Sequence, residues 1–69
     1  MNTTDRIIEH LNGGGVVVVS NHMKSTQYDK RHVTMFRQFA GQPHVQRGKH
    51  WDCIKYCKIT LRRDLYVGN

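Results

Sequence analysis

The spacing of apolar residues changes along the chain, and each change predicts an element. In Thr4–Leu11, Ile7, Ile8 and Leu11 share one face at 100° per residue, the period of an α-helix. Thr3 or Thr4 can cap this helix, Asp5 suits its positive end, and Asn12 with Gly13–Gly15 ends it. Val16–Val19 shows no alternation. Four successive β-branched residues predict a strand covered on both faces or paired at the centre of a small sheet. The longest helical repeat is Thr26–Ala40. Val33, Phe36, Phe39 and Ala40 fall on one arc with Met35 at its border, and Lys30, Arg31, Thr34, Arg37 and Gln38 fall on the opposite arc. Thr26-x-x-Asp29 fits a capping box, Gly41 is placed as a C-cap, and Pro43 bars continuation.

The pattern then turns to strands. His44–Arg47 reads as a short strand, Gly48-Lys49 as a turn, and Trp51–Leu61 as a long strand rich in aromatic and β-branched residues. Its apolar phase shifts between Tyr56 and Cys57, which a bulge would absorb. A helix through Trp51, Ile54, Cys57 and Leu61 also has acceptable spacing. Leu65–Val67 can form a last strand or a dimer contact, and Asn21–Ser25 is polar apart from Met23. The expected fold is α+β, with two to three helices, a short strand and a C-terminal antiparallel β-hairpin. Residues 1–69 form one domain with its core roughly at 4–62.

Sixty-nine residues bury little core. A homodimer or a partner would make up the shortfall, and Trp51 is expected in the core because so small a chain needs its one tryptophan there. Eleven Lys and Arg face five Asp and Glu, a formal charge of +6, so the expected partner is anionic. MNTTDRIIEH has no basic leader and apolar run, and Val16–Val19 is too short to cross a bilayer. The expected setting is cytoplasmic, away from membranes. Cys53 and Cys57 are too few for a disulfide framework. On a straight strand their Cα atoms would lie roughly 13 Å apart, beyond disulfide reach.

The order helix, short strand, helix, basic hairpin resembles a winged helix-turn-helix domain. The stretch VVVVSNHMKSTQYDKRHVTMFRQFAGQPHVQRG followed by KYCKITLRR carries the likeness. The resemblance implies a small winged-helix-like fold with Lys30–Phe39 along a DNA major groove and Lys30, Arg31, Thr34, Arg37 and Gln38 facing the bases. Arg47, Lys49 and His50 would form the wing tip, and a second helix would lie between Ser20 and about Tyr28, where Met23 and Tyr28 are the apolar residues.

Arg and Lys donate to phosphates, and Arg and Gln also read base edges. Six of the eleven basic residues, Arg47, Lys49, Lys55, Lys58, Arg62 and Arg63, lie in the hairpin region. The hairpin would thus supply affinity and the central helix selectivity. Neutralising six to eight phosphates of a duplex would give a log–log salt slope of roughly −5 to −7. The leading expectation is a non-enzymatic regulator of transcription or an accessory to recombination that binds double-stranded DNA. The alternative is a small phage-type protein that blocks an acidic host protein through Trp51, Tyr56 or Tyr66. Single-strand or RNA binding is a third reading, and it needs exposed aromatics on the hairpin.

Other chemistries fit less well. His44, His50, Cys53 and Cys57 are good zinc ligands, but both cysteines follow the histidines, and on a strand the sulfurs are too far apart to share one ion. Gly13–Gly15 lacks the preceding strand and following Lys-Ser/Thr of a phosphate loop. The five histidines stand with no recognisable nucleophile or paired carboxylates, so neither catalysis nor a cofactor is expected.

Overall fold

The structure, a computed structural model, describes residues 2–42 and 44–63. Pro43 and Leu65–Val67, to which the sequence assigned a helix stop and a last strand, lie outside them. The chain is a small α+β unit of two α-helices, a three-stranded antiparallel sheet and a two-stranded hairpin.

Helix α1 spans Thr3–Asn12 and starts one residue before its expected start. Asn2 is the cap: its Oδ1 accepts from the Asp5 N–H at 2.9 Å. Thr4 is then free to join Ile7 and Leu11 on the buried face. The turn that follows needs glycine at Gly14, where φ is +91°. It also needs one at Gly15, where a Cβ would collide with the His10 ring. His10 Nε2 donates to the Arg62 carbonyl at 2.6 Å and ties the end of α1 to the last strand. Gly15→Ala is therefore expected to displace His10 and to lower stability by about 1–3 kcal/mol, the usual range for overpacking. Thermal denaturation beside the wild-type chain checks this.

Strand β1, Val16–Ser20, is the centre of the sheet, as its unbroken valine run predicts. Strand β2, Ser25–Tyr28, pairs with it in antiparallel register, Val17 opposite Tyr28. Where a helix-turn-helix would hold its second helix there is thus a tight turn and a strand. Asn21 closes that turn, its Oδ1 accepting from the N–H groups of Met23 and Lys24. Thr26 belongs to β2, so the expected central helix is shorter. Asp29 caps a 3₁₀ turn over Lys30–His32, with His32 completing the capping box, and α2 runs Val33–Gln38. Val33, Phe36 and Phe39 are buried as their period predicts, while Ala40 is exposed. Gly41 takes the left-handed conformation expected of it, φ +79°.

Strands β3, His44–Arg47, and β4, His50–Cys53, form the expected hairpin. The expected long strand does not form. A 3₁₀ turn at Ile54–Tyr56, closed by the Cys57 N–H on the Ile54 carbonyl at 3.1 Å, interrupts it. Strand β5, Lys58–Arg62, then leaves the hairpin and pairs with β1, Val17 opposite Leu61. The turn resolves the phase shift between Tyr56 and Cys57, so that Ile54 and Ile59 both reach the core. It also draws the two free cysteines together, with Cys57 Sγ donating to the Cys53 carbonyl at 3.6 Å.

Val17, Val19 and Tyr28 point inward to Ile7, Leu11, Phe36 and the hairpin's Val45. Tyr28 meets the edges of Phe36 and His32, each at 5.0 Å between centroids. Both helices and the hairpin thus lie on the inner side of the sheet, leaving its outer face without a covering element among the described residues.

Candidate nucleic-acid interface

Lys30, Arg31, Thr34, Arg37 and Gln38 are all exposed on one surface. Arg31, however, is already engaged. Its Nε lies 3.1 Å from both Asp29 carboxylate oxygens and its Nη2 lies 2.9 Å from Oδ2. The guanidinium holds the Asp29 carboxyl below its ordinary pKa. The pair is solvent-exposed, so it adds little to stability. Helix α2 itself has six residues, roughly 9 Å of axis.

Arg47 is not a wing-tip residue. It is 1% exposed and faces inward beside Val45. Its Nε donates to Asp52 Oδ2 at 2.9 Å and its Nη1 to the Val19 carbonyl at 2.7 Å. Asn21 Nδ2 donates to Asp52 Oδ1 at 3.1 Å, so one ion pair joins the hairpin to the β1–β2 turn. The Arg47 hydrogen bond pulls the Asp52 carboxyl below its ordinary pKa. Strand alternation accounts for this placement: Val45 and Arg47 share a parity, and Val45 is inside.

The same alternation turns Trp51 outward. It pairs with Gln46 on the outer side of the hairpin, 59% exposed, and meets Phe39 edge to face at 5.4 Å. The expectation of a buried Trp51 is thus corrected, since Phe36, Ile54 and the Arg47 stem occupy the interior. Tyr56, at the end of the 3₁₀ turn, is 76% exposed, with Lys55 Nζ 5.2 Å from its ring centroid. Lys49 and His50 are exposed at the hairpin tip.

Beyond Tyr56 the chain enters β5. Register places Lys58, Thr60 and Arg62 on the outer face of the sheet, across from Ser20, Val18 and Val16. Ser25 and Gln27 flank them from β2. A shallow groove of about 260 Å³ runs between Lys58, Thr60, Arg62, Ser20 and Ser25. None of these side chains is acidic. Arg63, exposed, follows at the end of the strand.

The predicted site therefore divides. Lys55, Lys58, Arg62 and Arg63 line one arm of the chain and continue onto the outer sheet face. Lys30, Thr34, Arg37 and Gln38 lie on the other side of the core, because α2 packs on the inner face through Phe36 and Tyr28. Sequence reasoning had named Lys55, Tyr56, Lys58 and Arg62, but neither the outer sheet face nor the contact between Lys55 and Tyr56. Both follow from the departure of β5 from the hairpin, a tertiary pairing with no local signal.

His44, His50, Cys53 and Cys57 do not come together. Among the described residues no three His, Cys, Asp or Glu side chains are placed to share a metal ion. Nor, among them, is any helix long and apolar enough to cross a membrane. No protein-family model, curated protein or solved structure matches the chain.

Proposed function

We propose that the chain is a non-enzymatic nucleic-acid-binding domain that stacks single-stranded DNA or RNA on Trp51 and Tyr56. The outer face of β5 would then follow the phosphates. One observation carries this reading. Two aromatic rings stand exposed in a basic stretch, in a chain small enough to need them inside. Stacking platforms flanked by cations are what sequence-tolerant single-strand binding requires. Insertion of α2 into a duplex groove has less support, since the helix is short, Arg31 is paired and Arg47 is buried. A regulatory role in transcription or recombination remains compatible with single-strand contact.

Titration of an oligonucleotide and of the matching duplex at several salt concentrations tests the proposal. If Lys55, Lys58, Arg62 and Arg63 neutralise about four phosphates, the log–log slope for the single strand is roughly −3. The single strand should also bind the more tightly. A duplex preference with a slope of −5 or steeper would restore the groove reading.

A second reading draws on the same rings. Exposed Trp and Tyr beside cations also anchor protein interfaces, here one with an acidic host protein. Nuclease treatment before affinity capture separates the two. A protein retained at stoichiometric yield after nuclease supports the second reading, and loss of all bound material supports the first.

A further inference from the structure

A cleft of about 630 Å³ lies at the far end of β5 from Tyr56, between that strand and α1. Its volume falls in the range of small-molecule sites. Arg6 reaches it from α1 and Arg63 from the strand end, and Gly13–Gly15 form one wall. Among the described residues neither Arg6 nor Arg63 makes an ion pair. His10 also lines the cleft. Its Nε2 donates to the Arg62 carbonyl, which in the neutral ring leaves Nδ1 an acceptor, so His10 shapes the cleft and adds no donor to it. The glycines supply space and no donors, because the N–H groups of Gly13, Gly14 and Gly15 all bond to carbonyls of α1. A Cβ at Gly14 would meet nothing within 4 Å, so that wall is open.

We propose that this cleft binds a phosphomonoester. Two guanidinium forks, neither in an ion pair among the described residues, suit a group with three terminal oxygens and a charge near −2. Glu9 lines the cleft as well, so Arg6 and Arg63 together leave it one net positive charge. The position is informative too. A strand laid along Lys58, Thr60 and Arg62 on the outer face reaches Arg63, on the α1 side, by turning over the β5 edge of the sheet. The phosphate would belong either to the end of a bound strand or to a free mononucleotide. The first source rests on the nucleic-acid reading above, and the second does not.

The test uses single strands of roughly twelve nucleotides, long enough to span a small binding domain. They carry a 5′-phosphate, a 3′-phosphate or hydroxyls at both ends, and a nucleoside monophosphate and inorganic phosphate are titrated separately. A strand phosphorylated at one end should bind about tenfold more tightly than the hydroxyl strand, as charge-assisted bonds of this kind imply. Arg6→Lys keeps the charge but not the fork and should reduce that preference to within about threefold. Arg63→Ala should do the same, while Lys49→Ala, at the hairpin tip beside the β1–β2 turn and away from the cleft, should leave it intact. Both arginines are exposed and make no ion pair among the described residues, so the variants should fold, and an unchanged thermal transition checks that they do. Saturable mononucleotide binding that is lost in Arg6→Lys would assign the site to a free ligand. Equal affinity for all three strands, with neither small phosphate bound, would overturn the proposal and leave single-strand binding standing. Phosphate binding without any oligonucleotide binding would keep this site and overturn the nucleic-acid reading.

Discussion

Arg47→Ala should destabilise the fold by about 3–5 kcal/mol, enough to unfold much of a chain this small. Arg47 is fully buried, and its loss strands two groups at once. The Asp52 carboxylate loses its partner, and the Val19 carbonyl loses a 2.7 Å donor from the centre of the sheet. The removed stem also leaves a cavity between hairpin and sheet. Arg47→Met leaves the same polar groups without their arginine but fills most of the cavity, so it should cost less. Urea unfolding of the three proteins measures the order. The acid limb provides a second check. The Asp52 carboxyl has its pKa depressed in the fold. Its contribution is therefore present above the unfolded value near 3.9 and is lost as pH falls through the folded value. Arg47→Met should flatten that part of the stability curve.

Trp51→Ala and Tyr56→Ala should each weaken single-strand binding by about ten- to a hundredfold, the usual loss for one stacked base. Their effects on folding should differ from their effects on binding. Tyr56 is exposed and touches Lys55, so its removal should change stability by less than about 0.5 kcal/mol. Trp51 gives up its edge contact with Phe39, worth about 1 kcal/mol. Arg37→Ala, on the opposite side of the core, should leave affinity within about twofold if phosphate contacts run along β5. Fluorescence anisotropy with a labelled oligonucleotide reads the affinities, and thermal denaturation reads the stabilities.

Much of the fold was legible where a local period was strong. Val16–Val19 reads as the central strand, and Val33, Phe36 and Phe39 read as a buried helical face, because burial imposes those spacings directly. Gly41 was legible because a left-handed residue was needed there. Ser25–Tyr28 was not legible as a strand. Tyr28 is its one buried residue, and its identity comes from pairing with β1 rather than from its own pattern. The break at Ile54–Tyr56 was equally hidden. The phase shift marked the place, but whether a bulge or a turn absorbs it depends on where β5 finds a partner.

The candidate site divides in the same way. Lys55, Lys58, Arg62 and Arg63 were found from charge alone, and charge is a surface property that composition reports well. Trp51 was misplaced because size argued for burial, while the parity of Val45 and Arg47 had already filled the inner side of the hairpin. Arg47 was misplaced for the converse reason. A positive charge argued for the surface, and a carboxylate five residues on, across the hairpin turn, made its burial possible.

The central claim is that a single strand meets Trp51, Tyr56 and the outer face of β5. Backbone and indole NMR shifts during titration with an unlabelled oligonucleotide locate the contact residue by residue. The account predicts large changes at the Trp51 indole and at Lys55, Tyr56, Lys58, Thr60 and Arg62, with Thr34, Arg37 and Gln38 unmoved. Changes centred on Lys30–Gln38, with the Trp51 indole and Tyr56 unmoved, would contradict it.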